Sequence, residues 1–271
     1  MTAISDLSAI DVHGHYGPYE GAGVPALNRR FMSGDPATVV ARARQANTAY
    51  TVVSPIWGLM PRGEADAVAA NEDARRVVHE TDGLLQWVIV HPLQPATFDQ
   101  ARRMLQLPKC VGIKIHPEEH GYPIVQHGRS IFELAARFDA VVLSHSGEPN
   151  CLPMDFVPLA DDFPRVKLIL AHLGHSGATG TSLDLQVRAI QASKHGNVLV
   201  DTSSMRSIMP GLIEWAVGEV GADRVLYGSD TPLYFAPSQR TRIDRADLAD
   251  VEKEMILRDN AERLLPFFQK R

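Results

Sequence analysis

The sequence predicts an α/β protein built as a single (β/α)8 barrel of the TIM type, with one domain over residues 1–271 and a helix at its C-terminal end. Apolar runs of strand length alternate with amphipathic stretches of helix length along the chain. Several runs are nearly continuous in Val, Ile and Leu, which is typical of strands buried on both faces of a parallel sheet. Eight such runs are spaced by about one β/α unit each, as a closed barrel of about 250 residues requires.

The predicted strands and helices alternate in order. The first strand leads to a helix that Asp35 caps, with Pro36 at its first position. Ser130 and Glu133 have the spacing of a capping box and predict the start of a later helix, and Gly221 predicts the end of another. The predicted strands are residues 8–15, 51–56, 84–91, 110–116, 140–147, 166–174, 197–204 and 224–230. The remaining predicted helices are residues 64–80, 97–107, 130–139, 154–163, 182–195, 211–220 and 246–265.

An open, doubly wound sheet is the alternative fold. Such a sheet usually carries a GxGxxG turn after its first strand, whereas this chain has HGHYGPYEGAG at that position. We therefore favour the barrel. Residues 16–34 form a long first loop that we expect to fold over the barrel mouth.

Composition excludes several classes of protein. A chain of 271 residues with 45% hydrophobic and 22% charged residues is not a disordered protein. Its net charge of −5 and its lack of a basic run argue against a nucleic-acid partner. No apolar run reaches the roughly 18 residues of a membrane span, so no membrane partner is expected. Two cysteines and the absence of a signal-peptide pattern predict a cytoplasmic protein, and no sequence feature decides whether it forms a homo-oligomer.

The eleven histidines carry the functional signal. His13 and His15 are two residues apart in the first strand, so that both side chains are expected on one face. His145, His172 and Asp230 lie at the ends of the fifth, sixth and eighth strands. A lone histidine at a strand end is usually a packed or hydrogen-bonded residue. Strand ends of a barrel converge on one face, however, so together these five residues predict a metal site there.

The motifs HGH, GIKIHP, LSHSG, LAHLGH and YGSDTP together resemble the amidohydrolase superfamily, in particular the branch of small metal-dependent amidohydrolases that includes amino-carboxymuconate-semialdehyde decarboxylase. The resemblance spans essentially the whole chain. It implies a distorted (β/α)8 barrel that holds a divalent metal. The metal ligands that it implies are His13, His15, His145, His172 and Asp230.

The resemblance also implies that Asp230 acts as general base toward a metal-bound water. Imidazole and carboxylate ligands suit zinc, our first choice, with manganese or iron as alternatives. Lys114 shares a strand face with His116 and leaves two interpretations open. In binuclear relatives a lysine of the fourth strand is carbamylated and bridges two metals, whereas in the mononuclear branch, which we favour, Lys114 would face the substrate or a carboxylate. Asp230, His172 and Lys114 are our predicted catalytic residues.

Four further residues are predicted to bind substrate. His116 follows the fourth strand, His175 lies three residues after His172, and His91 ends the third strand. Arg206 follows the seventh strand and could bind a carboxylate through two parallel hydrogen bonds. The remaining histidines are expected at the surface: His79, His120, His127 and His195.

The sequence favours a metal-dependent hydrolase that activates water for attack on an amide, lactone or ester carbon of a small molecule. A non-oxidative decarboxylase of a small carboxylic acid could use the same metal site and is the first alternative. A barrel that binds a small molecule without turnover is the second alternative. The complete set of ligand types argues against this last interpretation.

Overall fold

The computed structural model describes residues 4–21, 23–177 and 182–269. These residues form a single parallel sheet of eight strands, in which each strand pairs with the next along the chain. The strands are β1 (Ala9–Tyr16), β2 (Thr48–Pro55), β3 (Leu84–Ile89), β4 (Cys110–Ile115), β5 (Val141–Ser144), β6 (Leu168–Leu170), β7 (Val198–Asp201) and β8 (Val225–Leu226).

The sheet closes into a barrel where β1 meets the segment that follows β8. The Val12 amide donates to the Tyr227 carbonyl at 2.9 Å, and the Asp230 amide donates to the His13 carbonyl at 2.7 Å. A third hydrogen bond joins the His15 amide to the Thr231 carbonyl at 2.6 Å. Because first and last strands are joined, the predicted (β/α)8 barrel is confirmed and the open sheet is excluded.

Helices surround the barrel, and their ends partly differ from prediction. The Asp35 carboxylate caps α2, as predicted, by accepting from the Thr38 amide at 2.7 Å. The helix start predicted at Ser130 is wrong, because Ser130 lies inside α6 and its hydroxyl donates to the His127 carbonyl of the same helix. The α-helices are α1 (Ala26–Met32), α2 (Pro36–Gln45), α3 (Ala67–Glu80), α4 (Ala96–Met104), α5 (Pro117–His120), α6 (Ile124–Arg137), α7 (Val157–Asp162), α8 (Leu185–Ala192), α9 (Leu212–Val220), α10 (Ala236–Asp244), α11 (Asp250–Glu254), α12 (Asn260–Leu264) and α13 (Pro266–Gln269).

The C-terminal helices pack onto the apolar interior of the barrel. The predicted single helix over 246–265 is instead α11 and α12 joined by a π-helical turn at Met255–Asp259. Ala261 and Leu265 are buried in the same apolar cluster as Trp87 of β3, whose ring nitrogen donates to the Val12 carbonyl at 2.8 Å. No helix among the described residues combines the length and apolar character needed to cross a membrane.

Two irregular strands direct polar side chains into the barrel. In β1 the pairing passes from Asp11–Thr51 to Gly14–Val53, so β1 holds one extra residue. The extra residue reverses the alternation after Ile10 and Val12, which face the apolar interior, and brings His13 and His15 to the same side. The pairing of β4 with β3 shifts in the same way and brings Lys114 to the interior.

The shift in β4 also requires a glycine. A Cβ on Gly112 would lie 2.4 Å from the Trp87 ring and 2.5 Å from the Val141 carbonyl oxygen, and neither group has room to move. We expect Gly112→Ala to lower the free energy of unfolding by about 3 kcal/mol, measured by urea denaturation. Gly218→Ala is the control, because its Cβ meets open space on α9 and should raise stability by about 0.5–1 kcal/mol. Equal effects of the two substitutions would contradict the packing argument.

Candidate active site

A cavity of about 440 Å³ opens at the carboxyl ends of the strands and collects most of the predicted site residues. Its apolar wall includes Ile56, Leu59 and Leu233. The predicted site residues that line it are His13, His15, Lys114, His116, His145, His172, His175, Arg206 and Asp230. The structure thus brings these side chains together, while their roles stay predictions.

His13, His15 and Asp230 form one of three groups of potential metal donors among the described residues. Asp230 Oδ1 lies 3.1 Å from His15 Nε2 and 3.6 Å from His13 Nε2. All three residues are buried, and their donor atoms lie within 4.8 Å of one another. Two imidazoles and one carboxylate at this spacing are a donor set suited to a divalent metal.

The opposite ring nitrogens explain why a cation fits this group. His15 Nδ1 lies 3.1 Å from the Ser54 carbonyl oxygen, and His13 Nδ1 lies 2.8 Å from Asp201 Oδ2. Both partners are acceptors, so each ring carries its proton on Nδ1 and keeps a lone pair on Nε2. The Nε2 of His15 faces Asp230, whereas the Nε2 of His13 lies 2.8 Å from Lys114 Nζ and farther from Asp230. The His15 lone pair thus faces a carboxylate oxygen, and a divalent metal between the two would be attracted to both.

Asp201 connects this group to His172. Its Oδ1 accepts from the His172 amide at 2.9 Å and from the Ser203 amide at 3.0 Å. The Ser203 hydroxyl lies 2.7 Å from His172 Nδ1. No role was predicted for Asp201 from the sequence, although it is a carboxylate at the end of β7.

Two site residues adopt a left-handed backbone. The φ angles of His172 and Asp230 are 72° and 57°, a region that residues other than glycine rarely occupy. Each follows a barrel strand directly or closely, where the chain turns outward. Such strained conformations concentrate at functional sites, because the surrounding structure must hold them in place.

His145 contacts His172 and His116. Its Nδ1 is 3.0 Å from His172 Nε2, and its ring stacks on His116 with centroids 4.1 Å apart. His145 is not in the group formed by His13, His15 and Asp230. His172 and His145 belong to the two other groups, with His13 and Asp201 and with Glu148 and His175. That they bind the same metal as His15 stays a prediction from the family resemblance.

Two polar pairs lie toward the mouth. His175 Nε2 lies 3.1 Å from Glu148 Oε1, and the Arg206 guanidinium donates to the Ser176 hydroxyl at 3.2 Å. Sequence reasoning missed Glu148, although it is a carboxylate four residues after β5. Arg206 places a positive charge on the cavity wall, where it is available to an anionic substrate.

His91 lies away from these residues and is not among the described residues that line the cavity. Its ring stacks on His120 with centroids 4.0 Å apart and an interplanar angle of 3°. His120, expected at the surface, is buried and has its Nε2 3.1 Å from the Gly58 carbonyl oxygen. This position does not support the prediction that His91 binds substrate, because His120 of α5 covers the His91 ring.

This stack predicts a sensitivity to acid. Burial lowers the pKa of His91 to about 4 and that of His120 to about 3, against about 6.5 in an unfolded chain. Below pH 6.5 the unfolded state therefore binds protons that the folded state excludes, and stability falls as pH drops toward 4. We expect the urea midpoint of His91→Phe, which keeps the stack, to fall less between pH 7 and 5 than that of the wild type. Parallel pH profiles would contradict this assignment.

Burial also sets the charges inside the cavity. It lowers the pKa of Lys114 to about 8, an effect that the Asp201 and Asp230 carboxylates partly oppose. Burial raises the pKa of the Asp230 carboxyl, with His15 acting in the opposite direction. The pKa values of His13, His145 and His172 are held well below the usual range, again mainly by burial. Neutral imidazoles are the form that binds metals.

Comparisons with solved structures find the same fold. A 2,6-dihydroxybenzoate decarboxylase complexed with 2,6-dihydroxybenzoate has a TM-score of 0.73 and 16% sequence identity, over 95% of this chain and 98% of that chain. A dihydroxybenzoic acid decarboxylase from Polaromonas sp., with bound manganese and the inhibitor 2-nitroresorcinol, has a TM-score of 0.72 and 16% identity, over 97% and 98% of the two chains. A 5-carboxyvanillate decarboxylase from Sphingomonas paucimobilis has a TM-score of 0.70 and 16% identity, over 95% and 98%.

Sequence comparison identifies the family. No curated protein matches the chain at a significant level. Residues 10–267, from the first barrel strand to the C-terminal helices, match the amidohydrolase family. This match agrees with the motifs HGH, LSHSG, LAHLGH and YGSDTP and with the metal-donor geometry at the barrel mouth. The chain therefore belongs to the amidohydrolase family of metal-dependent enzymes.

Proposed function

We propose that the protein catalyses the non-oxidative decarboxylation of a small aromatic carboxylic acid. The proposal rests on one cavity that combines three features. It is lined by the Arg206 guanidinium, by the metal-donor group of His13, His15 and Asp230, and by apolar side chains. The sequence alone favoured hydrolysis, with decarboxylation as the alternative. Three solved structures of the same fold that are decarboxylases of aromatic acids support the alternative.

The cavity suits a ring that carries a carboxylate. Its volume of about 440 Å³ lies in the range of small-molecule sites, and Ile56, Leu59 and Leu233 provide apolar contacts for a planar ring. Arg206 can bind the carboxylate or a neighbouring phenol oxygen.

A divalent metal would be held by His13, His15 and Asp230, with His145 and His172 as further candidate ligands. When bound, it supplies a positive centre that polarises and orients an oxygen-bearing substrate. The sequence favours zinc as this metal. Because a relative of the same fold contains manganese, we propose manganese or zinc.

Decarboxylation requires a proton at the carbon that loses its carboxylate. The bond between that carbon and the carboxylate breaks, carbon dioxide leaves, and the electron pair stays on the carbon. We assign to Asp230 the transfer of a proton to this carbon, because its carboxyl lines the cavity beside His15 and burial raises its pKa above that of an exposed carboxyl. His172, held by Asp201 and Ser203, would orient the substrate beside it.

The proposal predicts carbon dioxide release and isotope incorporation. The protein loaded with Mn²⁺ is incubated in D₂O with 2,6-dihydroxybenzoate and a panel of other hydroxybenzoates. We expect carbon dioxide by mass spectrometry and a product with one deuterium at the vacated ring carbon by NMR. The negative controls are metal-stripped protein, which lacks the metal, and Arg206→Met, which lacks the guanidinium. Turnover of aryl esters, lactones or amides, with no carbon dioxide from any acid of the panel, would favour hydrolysis instead.

A further inference from the structure

Lys114 is hydrogen-bonded to His13 Nε2, the ring nitrogen that would bind a metal. The lysine lies on β4, is 1% exposed, and its Nζ is 2.8 Å from His13 Nε2. The opposite ring nitrogen, Nδ1, is 2.8 Å from Asp201 Oδ2 and so carries the ring proton. Nε2 of a neutral imidazole has one lone pair, and in this structure that lone pair accepts from the Lys114 ammonium.

One lone pair cannot accept a hydrogen bond and bind a metal at the same time. A metal on His13 Nε2 must therefore displace Lys114. This conclusion follows from the donor chemistry of the ring alone, and it distinguishes His13 from His15, whose Nε2 faces Asp230.

The displaced ammonium needs a new partner, because a buried charge without one is costly. Asp201 is already occupied, since its oxygens accept from the His13 ring, the His172 amide and the Ser203 amide. Asp230 is a predicted metal ligand, and the metal would take up its charge. The displaced ammonium can therefore turn only toward the cavity, which Lys114 already lines.

We propose that metal binding releases Lys114 from His13 to bind the anionic group of the substrate, so that metal and anion binding are coupled through this lysine. In the metal-free protein the Lys114 ammonium occupies the metal-binding lone pair of His13. In the metal-bound protein it binds the anion. Only the identity of this anion, a carboxylate, rests on the proposed function. The displacement step is independent of the reaction.

Calorimetry with Mn²⁺ alone tests the displacement. We expect Lys114→Met to bind Mn²⁺ about tenfold more tightly than the wild type, because no ammonium has to be displaced. Lys167→Met is the control, since Lys167 precedes β6 at the opposite end of the barrel and its loss should leave the Mn²⁺ affinity unchanged. Unchanged or weaker binding in Lys114→Met would overturn the displacement, and weaker binding would show that Lys114 helps to hold the metal.

Benzoate binding to the Mn²⁺-loaded proteins tests whether the released Lys114 binds an anion. We expect its affinity to fall about tenfold in Lys114→Met, and benzoate to tighten Mn²⁺ binding less in this variant than in the wild type. Equal benzoate affinity in the two proteins would overturn the anion role. If Lys114→Met does not fold, Lys114→Gln removes the charge with a polar side chain and is judged by the same two affinities. No step requires turnover, so a failure to observe decarboxylation is distinguishable from a failure of this proposal.

Discussion

Asp230→Asn is expected to lower turnover by about 10² to 10⁴-fold while leaving the fold intact, because the amide cannot transfer the proton that a positioned carboxyl supplies. Asparagine suits this test sterically, since it tolerates the left-handed backbone found at this residue. The measurement is the turnover number at saturating substrate, once an acid from the panel is found to react.

The substitution also removes a negative charge from the metal-donor group, so lost affinity must be separated from lost chemistry. Turnover is therefore compared at saturating Mn²⁺, with the metal content of each sample measured. Asp99→Asn, at an exposed position of α4, is the matched control and should retain wild-type turnover. Near-native turnover of Asp230→Asn at full metal occupancy would remove Asp230 from the chemistry.

His13→Ala is expected to weaken metal binding by about 100-fold or more. Loss of an outer-shell partner alone costs about 10- to 100-fold, and His13 is a predicted direct ligand. The wild type should bind about one equivalent of divalent metal, measured by equilibrium dialysis and elemental analysis. His79→Ala, an exposed histidine on α3, is the control and should keep the full equivalent.

A metal-loaded crystal structure gives a second test of the same assignment. The imidazole nitrogens of His13 and His15 should lie about 2.0–2.2 Å from a bound zinc ion. A bound ion more than about 6 Å from both rings would show that the donor group has been assigned wrongly. His145 is the informative third ring, because it contacts His172 in the present structure.

The sequence predicted the barrel because its signals are local and repeated. Runs of Val, Ile and Leu identify strands buried on both faces, and their spacing identifies the eight units. The start of α6 was missed because Ser130 and Glu133 imitate a cap inside a helix that begins after Pro123. Local spacing cannot distinguish these two cases.

The site was predictable to the level of strand ends and no further. Simple alternation was expected to place His13 and His15 on one face, and it does, but an extra residue in β1 turns that face inward, and only the pairing with β2 reveals it. The stack of His91 on His120 and the hydrogen bonds of Asp201 depend on contacts between distant elements. The choice between hydrolysis and decarboxylation depends on which side chains surround the substrate in the cavity, and no motif of this sequence encodes that.

The closure between β1 and β8 gives the metal site a mechanical consequence. The His13 carbonyl and the Asp230 amide form one of the hydrogen bonds that join the first and last strands. A divalent ion held by their side chains would cross-link the two ends of the strand order at the same place, and the free energy of metal binding would add to that of unfolding. Removing the metal with a chelator would thus lower the free energy of unfolding, so thermal inactivation would depend on the free metal concentration.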